Sequence, residues 1–124
     1  MRPRLHLAIA AILLFSSLSF AHSHGKKKIL SGYLVDISCA TERANELATL
    51  GIVHTRQCLQ MPDCQRSGYG LLTDDKKVLK FDAAGNVQAM QLIASTNQPK
   101  DFRITVSGRV NNDQIAVSKL ELKP

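Results

Sequence analysis

Two segments near the C-terminus carry the clearest pattern in the chain. Phe102-Arg103-Ile104-Thr105-Val106-Ser107-Gly108 alternates apolar with polar residues, and Ile115-Ala116-Val117-Ser118-Lys119-Leu120-Glu121-Leu122 alternates again. Successive side chains of a strand point to opposite faces, so each segment offers one apolar face to a core. Asn111-Asn112-Asp113 between them supplies turn residues, and the whole predicts a β-hairpin. A second hairpin is expected from Tyr69 to Thr73 and Val78 to Phe81, joined through Asp74-Asp75-Lys76-Lys77. Ile29 to Ile37, rich in β-branched and aromatic residues, reads as the first strand.

Helical spacing shows in two places. Ala44, Leu47, Ala48 and Leu50 recur at helical intervals within Thr41 to Leu50, with Glu42 in the first turn and Gly51 as a stop. Val87, Met90, Ile93 and Ala94 lie on one face of a short helix from Val87 to Ala94, after a turn at Asp82 to Asn86 and before Asn97-Gln98-Pro99. His54 to Gly68 has no clean period and is expected to be a long loop that needs a tie to stay ordered. The order is strand, helix with loop, strand, strand, short helix, strand, strand. It predicts an all-β domain, β-rich with one or two short helices, built as a small five-stranded OB-like Greek-key barrel. Gly32 and Gly108 fall inside strands, where a small barrel must bend. An open antiparallel sheet packed on a helix is the competing arrangement.

The N-terminus follows a different rule. Arg2 and Arg4 precede an almost wholly apolar run from Leu5 to Phe20, and Ser19-Phe20-Ala21 places small residues where a signal peptidase reads. Residues 1–21 therefore read as a cleavable signal peptide, 22–28 as a flexible basic leader and 29–124 as the barrel domain. The apolar run is short for a membrane span of roughly 20 residues and turns to serines from Ser16. No stable membrane anchor is expected after cleavage, and the destination is periplasmic or secreted. Arg2 and Arg4 take two charges of the net +6 with them, leaving +4. Much of that is Lys26-Lys27-Lys28, and no basic stripe interleaves with aromatics, so no nucleic acid is expected as a partner.

Export changes how the cysteines read. Cys39, Cys58 and Cys64, with His54, lie close together after the first strand. Thiolate and neutral imidazole are ligands that zinc and copper(I) favour, and Cys39, His54, Cys58 and Cys64 would complete one tetrahedral site. His54 and Cys58 are four apart and would share a face if that stretch were helical. In an oxidising compartment, however, two of Cys39, Cys58 and Cys64 would pair as a disulfide, leaving one thiol free or available to another chain. Asp36 would cap the following helix or support the site from behind. A second metal candidate lies at the leader. Cleavage after Ala21 would begin the mature chain with His22-Ser23-His24, whose amine, amides and His24 imidazole could wrap copper(II) or nickel(II) in a square plane. No G-x-S-x-G, HExxH, phosphate loop or CxxCH occurs, and no enzymatic activity is expected.

Gly32-Tyr33-Leu34-Val35-Asp36-Ile37-Ser38-Cys39, the His54, Cys58 and Cys64 series, and Gly68-Tyr69-Gly70-Leu71-Leu72 carry a resemblance. Together with Phe102 to Val110 and Gln114 to Leu120, they are similar to a family of small exported bacterial proteins of unknown function with a D-x-x-C…H-x-x-x-C…C pattern. The resemblance implies an OB-like barrel with the cysteines and histidine as a unit. Members often have glycine after the first cysteine, where this chain has Ala40 and a longer helical segment. A looser likeness to periplasmic OB-fold stress proteins implies a binding module. The expected function is thus an exported small binding module with a zinc or copper site, whose partner is a small ligand, a metal ion or an envelope protein. A disulfide-stapled barrel that binds a peptide, glycan or envelope partner is the alternative, and a thiol-redox protein the third.

Overall fold

The computed structural model describes residues 25–124. The expected signal peptide and the His22 and His24 metal clamp lie outside the described residues. β1 (Lys27–Asp36) begins two residues earlier than its apolar pattern, because Lys27 and Lys28 pair with Arg109 and Gly108. The basic leader therefore gives up its last two lysines to the sheet.

β1 serves two neighbours. Its first part pairs antiparallel with β4 (Arg103–Asn111) and its second with β2 (Tyr69–Thr73), Gly32 and Tyr33 belonging to both ladders. A side chain on Gly32 would run into the Leu72 carbonyl, so the corner needs a residue without Cβ. β2 continues to β3 (Val78–Phe81), which meets β5 (Gln114–Leu122) in a short parallel pairing at Lys80 and Phe81. β5 returns antiparallel to β4, with an irregularity at Ser107 and Gly108. The five strands thus close a ring in the order β1-β2-β3-β5-β4. Both expected hairpins are present.

The helices exceed expectation. α1 (Ile37–Glu42), a 3-10 turn (Ala44–Glu46) and α2 (Leu47–Val53) replace the single helix read from Thr41 to Leu50, and Gly51 lies inside α2 instead of ending it. The expected loop from His54 to Gly68 holds α3 (Arg56–Leu59) and α4 (Pro62–Ser67). Neither is two turns long, so neither can display a helical period. Their starts are local: Thr55 caps α3, accepting from the Cys58 N–H at 3.1 Å, and Pro62 opens α4. α5 (Ala83–Ser95) starts four residues before the expected Val87, because Asp82 is its cap and not a turn residue. Asp82 accepts from Gly85 N at 2.9 Å and from Val117 N at 3.1 Å, tying the helix start to β5. Among the described residues helices and strands hold similar numbers, so this part of the chain is mixed, β-rich with five α-helices, and not all-β with one or two.

Alternation along the strands divides the apolar residues between two faces. Leu34, Leu71, Leu79, Phe81, Ile104, Val106 and Ile115 point into the ring, where Ala89 and Ile93 of α5 join them. Val35 and Leu72 point the other way and meet Ala40 and Leu50 from α1 and α2. Burial of one such side chain stabilises by about 1.5–3 kcal/mol. α1 and α2 are therefore packed onto the outside of the ring, while Leu59 of α3 joins the inner cluster, and together these anchors hold the cysteine-bearing segment in place.

Candidate metal centre

Asp36 is the last residue of β1 and the cap of α1. Its backbone is still extended (φ −87°, ψ 153°), and its Oδ1 accepts from the Cys39 N–H at 2.8 Å. That bond fixes Cys39 in the first turn of α1. The same turn is tied to the far end of the segment: Ile37 N–H donates to the Gly68 carbonyl at 2.9 Å, and Ser38 N–H donates to Ser67 Oγ at 3.1 Å. Ser67 in turn donates to the Cys64 carbonyl at 2.7 Å. This chain of hydrogen bonds seats α4 beside α1. As a result a carboxylate oxygen of Asp36 and the sulfurs of Cys39 and Cys64 all lie within 4.8 Å of one another.

The second carboxylate oxygen of Asp36 has its own partner. Asp36 is wholly buried, and its Oδ2 lies 2.7 Å from Nε2 of His54, a ring only 3% exposed. Burial alone would raise the Asp36 pKa, but the bonds from His54 and from the Cys39 N–H outweigh it and hold the carboxyl below the ordinary range. An ionised carboxylate only accepts, so Nε2 of His54 carries the hydrogen between them. His54 is placed for this by ending α2, where its N–H donates to the Leu50 carbonyl at 2.9 Å.

The thiols feel the same carboxylate. Burial, then the Asp36 charge, then neighbouring Cys64 push the Cys39 pKa up to about 12, and burial with Asp36 raises that of Cys64. Tyr69, opposite Asp36 in the β1–β2 ladder, is also pushed up to about 12, first by burial and then by Asp36. Its hydroxyl donates to the Leu59 carbonyl at 2.6 Å, fastening the end of α3 over the site.

Of the four ligands expected from the sequence, the structure gathers Cys39 and Cys64. His54 reaches the group only through Asp36. Cys58, half-buried on α3, lies outside the trio. His54 and Cys58 share no helical face, because His54 ends α2 in an extended conformation and α3 starts at Arg56. No disulfide joins any two of Cys39, Cys58 and Cys64. The donor that sequence reasoning left out is Asp36, read as a cap or as a support; it is the cap through one oxygen and the partner of His54 through the other. D-x-x-C was the available signal, because a capping aspartate brings its carboxylate to the first turn that holds the cysteine.

No family model, curated protein or solved structure matches the chain.

Proposed function

We propose that the chain is a small exported binding module whose Asp36, Cys39 and Cys64 hold one transition-metal ion on an OB-like Greek-key barrel. The observation that carries this reading is the mutual approach of the carboxylate and two thiols within 4.8 Å. A tetrahedral zinc ion with Zn–S bonds of about 2.3 Å sets its sulfurs about 3.8 Å apart, inside that span. The strand order supports the barrel, since a β1-β2-β3-β5-β4 ring with a helix between β3 and β4 is the OB connectivity.

The charges support a cation. As thiolates the two sulfurs would be repelled by each other and by the Asp36 carboxylate, and a divalent ion relieves all three. Zinc suits mixed oxygen and sulfur donors, whereas copper(I) selects softer sets, so zinc is the better match and copper the second. His54 is a positioning residue here: its N–H holds one carboxylate oxygen of Asp36 and so fixes the carboxylate beside the sulfurs. Three protein donors leave the fourth position of a tetrahedral ion to an external donor, which is where a small ligand would join. The raised thiol pKa values make Cys39 and Cys64 slow nucleophiles in the metal-free protein, which favours a metal-holding pair over a catalytic cysteine.

Competition between the reduced protein and a chromophoric zinc chelator tests this. One zinc per chain is expected, lost in Cys39→Ser and Cys64→Ser and kept in Cys58→Ser. Absence of binding, or binding indifferent to Cys39→Ser and Cys64→Ser, would overturn it.

A further inference from the structure

The two sulfurs of the candidate centre belong to different helices, and both helices are held from behind. Ser38 N–H to Ser67 Oγ, Ile37 N–H to the Gly68 carbonyl and Ser67 Oγ to the Cys64 carbonyl fix α1 against α4 without using either thiol. Cys39 and Cys64 therefore remain neighbours whether or not an ion lies between them. Their sulfurs lie within 4.8 Å of each other, so a small approach would bring them to the bonded distance of about 2.05 Å. Cys58 is outside this group, so Cys39 with Cys64 is the favoured pairing.

We infer that Cys39 and Cys64 form a thiol–disulfide gate on the metal site, holding the ion as two thiolates and releasing it as a disulfide. The inference rests on the metal reading above. The oxidant is a disulfide, RSSR, small or carried by another protein, the class of thiol oxidant that acts in oxidising compartments. A sulfur of the pair attacks RSSR, forming a mixed disulfide and expelling one RS−. The second cysteine attacks that mixed disulfide, closing Cys39–Cys64 and expelling the other RS−. From the metal-bound dithiolate, the products are the protein disulfide, two RS− that take protons from solvent to become RSH, and the free divalent ion. The protein loses two electrons and RSSR gains two. Asp36 keeps its bonds to Cys39 N–H and His54 and is left as a lone carboxylate donor, too few for a tetrahedral ion. Reduction returns the ion-binding state.

The test equilibrates the full mature chain in glutathione redox buffers, with zinc affinity, intact mass and peptide mapping read on the same samples. The reduced protein should bind one zinc. The oxidised protein should lose two hydrogens, map to a Cys39–Cys64 bond, and bind zinc more than about 100-fold more weakly, since removal of outer-shell partners alone costs 10–100-fold. Dithiothreitol should restore both readouts. Cys58→Ser should behave identically, which keeps the test open should Cys39→Ser misfold. A disulfide that maps to Cys58, or an oxidised form that keeps its zinc, would overturn the gate and leave the metal site standing. A reduced protein that binds no zinc would overturn the metal site and the gate together.

Discussion

Asp36 and His54, 18 residues apart, meet at 2.7 Å in the interior, and both are almost completely buried. The contact joins the end of β1 to the end of α2, through the same carboxylate that approaches the two thiols. Breaking a buried pair costs about 3–5 kcal/mol, because the surviving partner is left without compensation. Asp36→Ala should lose about that much, as it also removes the cap on α1. Asp36→Asn should lose less, since an amide still caps. Urea unfolding of the metal-free protein checks the order; equal losses would show that the charge contributes nothing beyond the cap.

Acid should weaken the fold through this carboxyl. Its folded pKa is lowered, so its contribution to stability is present above the ordinary carboxylate range and is lost as pH falls through the folded value. His54→Gln removes the imidazole whose hydrogen bond holds the Asp36 pKa down and should move that loss to higher pH. Unfolding free energies across acid pH, for both proteins without metal, measure the shift. Superimposable profiles would contradict the assignment.

Gly85 tests how closely α5 lies on the ring. A Cβ there would come within 2.5 Å of Val117 Cγ2 and 2.8 Å of Phe81 Cβ. Alanine is the better helix former by about 1 kcal/mol, yet overpacking a filled interior costs about 1–3 kcal/mol. Gly85→Ala should therefore be net destabilising, read as a lowered midpoint of chemical unfolding. A stabilised variant would mean that α5 moves away freely.

Cys39 should be a slow thiol. With its pKa pushed up to about 12, little thiolate exists at neutral pH in the metal-free, reduced protein. Alkylation by iodoacetamide, followed by peptide mapping, should modify Cys39 many times more slowly than a free cysteine. Asp36→Asn removes the charge that opposes ionisation and should speed it.

Much of the ring is legible in the alternation of apolar residues. Ile104, Val106, Ile115 and Val117 mark the faces of β4 and β5 directly, and the β2–β3 hairpin follows from its charged turn. The short helices are not legible in this way. α3 and α4 are defined by caps, by Pro62 and by bonds to distant residues, such as Arg56 N–H to the Pro99 carbonyl at 2.8 Å. The site shows the same division. Residue types named the neighbourhood, because three cysteines and a histidine fall between the first two strands. Membership was decided by contacts with no local signature, above all Ser38 with Ser67, which brings Cys64 to Cys39 and leaves Cys58 aside.

The most direct measurement is a cobalt(II) titration of the reduced protein followed by its absorption spectrum. One equivalent should produce sulfur-to-cobalt charge-transfer bands of an intensity suited to two thiolates, with the visible bands of a tetrahedral ion. Zinc should abolish them, Cys58→Ser should preserve them, and Cys39→Ser should remove them. A featureless titration, or bands that vanish in Cys58→Ser and persist in Cys39→Ser, would contradict a centre built on Asp36, Cys39 and Cys64.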